Sequence, residues 1–182
     1  MNRLKSKIRD IPDFPSKGIL FKDITPLLQD PDSLKFTIEA LIKPFKHSNI
    51  TAVAGMEARG FIFGSLAASA LGVSFIPLRK AGKLPFDVHS VSYSLEYGEA
   101  SLEIHTDALK AGSKVLLVDD LLATGGTMKA SCQLIEQLGG EIIACVFVIE
   151  LTALNGRDAR QMSWLFGYVL GETKRATSQD LE

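Results

Sequence analysis

Asp119 and Asp120 stand side by side after the apolar run Val115-Leu116-Leu117-Val118, and Leu121-Leu122-Ala123-Thr124-Gly125-Gly126-Thr127 follows them. A continuous β-branched and leucine run of this kind reads as a buried parallel strand. In open α/β sheets ligands gather where such strands end at their carboxyl edge. Neighbouring strand residues point to opposite faces, so the two carboxylates are expected to do different work, although a bend could turn both towards one ligand. The hydroxyls of Thr124 and Thr127 surround two glycines whose missing Cβ lets backbone N–H groups point inward, and the helical pattern that begins there adds the positive end of its dipole. These features make a phosphate cradle. It has neither the lysine of a P-loop nor G-x-G-x-x-G spacing, so it suits a terminal monophosphate better than a triphosphate or a dinucleotide bridge. A sugar phosphate accounts for the acids beside it, since hydroxyls donate to carboxylates while the cradle takes the phosphate.

The elements that must position these groups alternate between strand and helix, which implies an α/β fold with a mostly parallel twisted sheet flanked by helices. Residues 51–56 read as a short strand followed by Glu57-Ala58-Arg59-Gly60-Phe61, where an arginine at a strand end is either solvated or aimed at an anion. Residues 73–78 read as the next strand, with Arg79, Lys80 and Lys83 just past its end. Residues 84–97 carry few helical signals, and so long a loop in a compact domain reads as a lid, here with Gly82 and Gly98 as hinges. Leu4, Ile8 and Ile11 recur at helical spacing, predicting an N-terminal helix that ends at Pro12. A scaffold helix is expected over 30–47, strands over 99–105, 141–150 and 164–169, and a mobile polar tail over 173–182.

The chain has 182 residues, which suits one domain over 1–182. Twenty basic against 21 acidic residues leave a net charge of −1, so no basic footprint for nucleic acid or an anionic membrane is present and a small-molecule substrate fits better. Cys132 and Cys145 sit among apolar neighbours, which argues for a reducing, cytoplasmic setting. No His/Cys metal spacing is legible, and the apolar run 142–149 is too short to span a bilayer.

Apolar strand, Asp119-Asp120, two residues and Ala123-Thr124-Gly125-Gly126-Thr127 resemble the phosphoribosyl-diphosphate signature of the type I phosphoribosyltransferases, in the form that the adenine branch carries. Phe14-Pro15-x-x-Gly18-Ile19-x-Phe21-x-Asp23-Ile24-Thr25-Pro26 resembles that branch's base-binding hood, here within 1–30. The resemblance implies that Leu20, Phe21 and Lys22 hold adenine, partly through main-chain groups; relatives often have arginine where this chain has Lys22. Ala54-Gly55-x-Glu57-x-Arg59-Gly60-Phe61 resembles the diphosphate-binding loop, which implies roles there for Glu57, Ala58 and Arg59 and a cis peptide between Glu57 and Ala58. Arg79-Lys80-x-Gly82-Lys83, with Tyr93-Ser94-Leu95-Glu96-Tyr97-Gly98, resembles the flexible catalytic loop, here 80–98. It implies that Arg79 and Lys83 bind diphosphate and that Glu96 is the acid/base residue at the purine.

The activity so implied is transfer of a phosphoribosyl group from phosphoribosyl diphosphate to N9 of adenine, giving AMP and diphosphate. Arg59 is expected to act with Arg79, Lys83 and substrate-borne Mg2+ on the leaving group, with no metal held directly by the chain. A homodimer is also implied. Two alternatives stay open at this stage: transfer to another purine or pyrimidine base, and a non-catalytic regulator on the same fold. The second normally brings a DNA-binding domain or a basic face.

Overall fold

The structure, a computed structural model, describes residues 2–94, 99–159 and 165–167. The chain opens with α1 (Asn2–Lys5), then β1 (Arg9–Pro12) and β2 (Leu20–Asp23), which pair antiparallel with Arg9 opposite Asp23. This corrects the N-terminal expectation. Leu4 to Ile11 has helical spacing, but the helix stops at Lys5 because residues 9–12 find a strand partner in 20–23, and tertiary pairing overrides the local period. The hairpin lies within the segment expected as the hood.

Next come α2 (Thr25–Leu28) and α3 (Pro31–Ile42). Asp30 caps α3 by accepting from Ser33 N at 3.1 Å, and Pro31 fits the first turn, where no intrahelical donor is needed. The Lys7 ammonium, hydrogen-bonded to the Asp30 carboxylate, holds its pKa down at about 2. The helix ends earlier than expected, and a 3-10 turn follows at Lys43–Phe45, since Pro44 cannot continue the ladder. Then follow β3 (Ala52–Met56), α4 (Gly60–Leu71), β4 (Ser74–Lys80), β5 (Val88–Ser94), β6 (Glu99–His105), β7 (Lys114–Leu122), α5 (Gly126–Gln137), β8 (Glu141–Glu150) and β9 (Leu165–Gly167).

The main sheet has seven strands in the order β5-β6-β4-β3-β7-β8-β9. β4, β3, β7, β8 and β9 run parallel, while β6 is antiparallel to both β4 and β5. Two apolar layers cover it. Val115 and Leu117 face the layer that holds α5, whereas Leu116 and Val118 face the layer that holds α3 and α4, as period-2 alternation requires. The chain leaves β3 for β4 on one side, and β7 lies on the other, so the β3/β7 boundary is the switch point where a crevice opens.

The segment expected as a bare lid is largely a hairpin arm. β5 pairs with β6 from Val88↔His105 to Ser94↔Glu99 and packs across α5. Gly82, expected as a hinge, has φ +74° and donates its N–H to the Glu103 carboxylate at 2.9 Å. Arg79 and Lys80 lie within β4, opposite Glu103 and Leu102, not beyond its end. Glu96 and Gly98 lie outside the described residues, as do Trp164 and the tail 173–182.

Candidate active site

The acid pair sits where β7 loses a neighbour. β3 pairs with β7 only as far as Gly55↔Val118, whereas β8 continues to Leu122↔Glu150. The side-chain alternation also slips here: Leu121 packs with the α3–α4 layer and Leu122 with the α5 layer, out of phase with residues 115–118. Asp119 and Asp120 therefore occupy a bend at the crevice. Asp119 Oδ1 accepts from Asp120 N at 2.9 Å and lies against Gly60, where a Cβ would come within 2.7 Å of it. That glycine lets the first turn of α4 close on the carboxylate. Asp120 is buried, and its Oδ2 is 2.8 Å from Arg59 Nε. Burial pushes the Asp119 carboxyl well above the ordinary aspartate range, and the adjacent Asp120 charge adds to this. Burial also raises Asp120, with Arg59 opposing.

Past the acids, residues 121–128 wrap a cavity of about 70 Å³ that Asp119 and Phe147 also line. Gly125, the residue before α5, has φ +84°, which a side chain would strain. No side chain caps α5, so the free N–H groups of its first turn are available to an anion. Ala123, Thr124, Gly125, Gly126 and Thr127 thus form one concave turn, and Thr127 Oγ1 donates to Tyr93 Oη of β5 at 3.3 Å.

The loop after β3 holds Glu57, Ala58 and Arg59, with a cis peptide between Glu57 and Ala58. The Glu57 carboxylate turns to Arg79 Nε at 3.0 Å and to Lys80 N at 3.2 Å. Burial alone would push Glu57 up, but these partners outweigh it and hold the carboxyl below its usual range. Arg79 also donates to Lys83 O at 3.0 Å, so Glu57, Arg79 and the Lys83 backbone form one connected group at the ends of β3 and β4.

Arg59 faces the hood. Its guanidinium donates to Lys22 O at 3.3 Å and lies over the Phe21 ring, 5.1 Å from the centroid, while pairing with Asp120. β2 alternates, so its three candidate base-binding residues divide. Phe21 turns towards Arg59 and the acids. Leu20 and Lys22 instead line a cavity of about 440 Å³ whose other wall includes Ile149, Glu150, Leu151 and Thr152. Sequence reasoning passed over that wall, although Glu150 and Leu151 obey the same rule that picked out Asp119: they stand at a carboxyl strand end. Glu150 is held by Arg157 through two contacts of 2.6 Å.

A hooded crevice at the switch point, with an acid pair, an anion cradle and arginines at the ends of β3 and β4, defines a phosphoribosyltransferase class of site. The profile of the phosphoribosyl transferase domain matches residues 25–172. An adenine phosphoribosyltransferase of Methylococcus capsulatus is 65% identical over 159 residues, 87% of this chain and 93% of that protein. Among solved structures, adenine phosphoribosyltransferase from Rhodothermus marinus superposes with TM-score 0.89 at 47% identity, covering 92% of this chain and 96% of that one. The Saccharomyces cerevisiae enzyme, complexed with an iminoaltritol bisphosphate and adenine, gives TM-score 0.86 at 41% identity, with 91% and 96% covered. The chain belongs to the adenine phosphoribosyltransferase family.

Proposed function

We propose that this protein transfers the 5-phosphoribosyl group of phosphoribosyl diphosphate to N9 of adenine, yielding AMP and diphosphate in purine salvage. The observation that carries the reading is the meeting of three features at one sheet edge. These are the acid pair, the uncapped start of α5, and Arg59 stacked on the hood's Phe21. In this reading residues 123–127 hold the 5-phosphate, and Asp119 and Asp120 accept from the ribose hydroxyls. Arg59, Arg79 and Lys83 meet the diphosphate. The base must reach the ribose over the acids, and the Phe21 face turned that way is the one that Arg59 covers. Binding of diphosphate draws Arg59 off both partners, which frees Asp120 for the sugar and the ring for adenine.

N9 then bonds to the anomeric carbon, the bond to diphosphate oxygen breaks with its electron pair, and the N9 proton passes to Glu96. Holding both reactants in line supplies the larger share, since effective molarities are worth ~7–11 kcal/mol. Magnesium would come in on phosphoribosyl diphosphate and not be held directly by the chain, beside the hard oxygen donors Asp119 and Asp120. When bound, magnesium neutralises phosphate charge. Protein, magnesium, phosphoribosyl diphosphate and each nucleobase in turn are expected to give nucleotide with adenine first. Nucleotide formed preferentially from another base would move the assignment to that base, and none from any base would remove the activity.

A homodimer and a reducing cytoplasmic setting complete the reading. Phe36 and Leu66 stay exposed on α3 and α4, apolar surface of the kind that a second copy covers, and sedimentation equilibrium is expected to give twice the chain mass. The Cys132 and Cys145 sulfurs lie 3.8 Å apart in hydrogen-bond contact.

A further inference from the structure

Tyr93 has no part in the roles above, yet its hydroxyl joins the β5–β6 arm to the phosphate cradle. On β5, Ser90 and Ser92 face outward, while Val91 and Tyr93 face inward and pack on the apolar layer beneath α5. The ring is therefore held by packing, and its hydroxyl emerges 3.3 Å from Thr127 Oγ1 in the first turn of α5.

We propose that Tyr93 is a positioning residue for the 5-phosphate: its hydroxyl sets the Thr127 hydroxyl so that the Thr127 proton points into the cradle. The proposal rests on the phosphoribosyl reading of that cradle. A threonine hydroxyl has one donor and two acceptor positions and rotates to suit its partner. In the structure Thr127 Oγ1 donates to Tyr93 Oη, so its single proton points away from the cavity. A phosphate offers acceptor oxygens only. Thr127 can serve it only by turning that proton inward, and Oγ1 then becomes the acceptor for the Tyr93 O–H. The contact reverses direction without moving a heavy atom. It leaves a relay, Tyr93 O–H to Thr127 Oγ1 and Thr127 O–H to phosphate, in which each bond polarises the next. Removing the phenol hydroxyl frees the Thr127 rotor and leaves the ring's packing in place. The same contact ties the arm to the cradle, three residues before Glu96 in the chain.

The test is titration of ribose 5-phosphate, a probe with the terminal phosphate and no diphosphate, into the parent protein, Tyr93→Phe, Thr127→Val and the double variant. Tyr93→Phe is expected to weaken binding about three- to tenfold, the span of one ordinary hydrogen bond. Its melting temperature is expected to stay with the parent, and its KM for phosphoribosyl diphosphate to rise with kcat little changed. In the Thr127→Val background, Tyr93→Phe is expected to cost nothing further, because the relay is already cut. Parent-like affinity in Tyr93→Phe, or equal losses in both backgrounds, would overturn the relay and leave the proposed activity standing. Failure of the parent protein to bind ribose 5-phosphate would remove the cradle reading and the relay with it.

Discussion

Replacing Asp119 by asparagine is expected to raise the melting temperature at neutral pH while weakening phosphoribosyl diphosphate by about one to two orders of magnitude. The two effects have one origin. Asp119 is partly buried, Asp120 follows it directly, and both conditions disfavour its ionised form, so its folded pKa lies above its unfolded one. A free aspartate titrates near about 3.9. Between that value and the raised folded one, the native chain binds more protons than the unfolded chain, and stability falls as pH rises through the window. Asparagine has no charge to lose or gain, is close to isosteric, and keeps the Oδ1 acceptor for Asp120 N and the fit against Gly60.

The variant's advantage in melting temperature is therefore expected to be small below about pH 4, near the unfolded pKa, and to grow towards neutrality. Ribose hydroxyls, however, donate best to a carboxylate. In the variant Oδ1 is committed to Asp120 N, and hydrogen bonds to a charged group are worth about 1.5–3 kcal/mol, which gives the expected loss in affinity. Thermal melts across pH and calorimetric titration with the sugar diphosphate and magnesium check both parts. A variant that binds like the parent would take Asp119 out of the sugar site. A melting-temperature difference that does not change with pH would show that the carboxyl is not raised.

The groups that can be found in the sequence are those whose chemistry is local. Asp119, Asp120 and the turn 123–127 lie within nine residues of one another, and the strand that carries the acids and the helix that follows the turn are each fixed by their own hydrophobic pattern, so position and chemistry arrive together. What Arg59 does is not local. Its contacts are with Phe21 and Lys22, more than thirty residues before it, and with Asp120, sixty-one after it, and no spacing rule reports such a meeting. Strand alternation likewise divides Phe21 from Leu20 and Lys22, which a motif read as one block cannot anticipate. β6 matches the strand expected over 99–105, but β5 was missed as a strand for a compositional reason. Ser90 and Ser92 alternate with Val91 and Tyr93, a true period of two, but serines and a histidine lower its hydrophobic contrast below what a half-buried strand normally displays. At the N-terminus the error ran the other way, since Leu4, Ile8 and Ile11 fit a helix that the hairpin partner at 20–23 outcompetes.

Gly156→Ala is expected to damage folding and substrate binding together, although residue 156 lies outside every sequence motif of the site. A Cβ there would collide with the Ala123 carbonyl oxygen and sit 3.0 Å from Leu122 Cγ, so the obstruction is the backbone of the cradle itself. The segment has little room to retreat. Leu151 N donates to Leu122 O at 2.9 Å on one side, and on the other the paired contacts between Arg157 and Glu150 clamp the residue that follows. Forcing a methyl group into such a site costs about 1–3 kcal/mol, and at this chain length each kcal/mol shifts the melting temperature by roughly 2–4 °C, so a fall of about 2–12 °C is expected. Because relief must come from moving Ala123, the N–H groups just after it turn away from the phosphate, and KM for phosphoribosyl diphosphate is expected to rise roughly tenfold or more, the cost of about one lost charge-assisted hydrogen bond. Gly72→Ala is the control. That glycine ends α4 at φ +69° with nothing within 4 Å of the added carbon, so it should lose only the roughly 1–2 kcal/mol of left-handed strain and leave KM alone. If the two variants lose stability equally and both keep the parent's KM, the close approach of residue 156 does not shape the cradle.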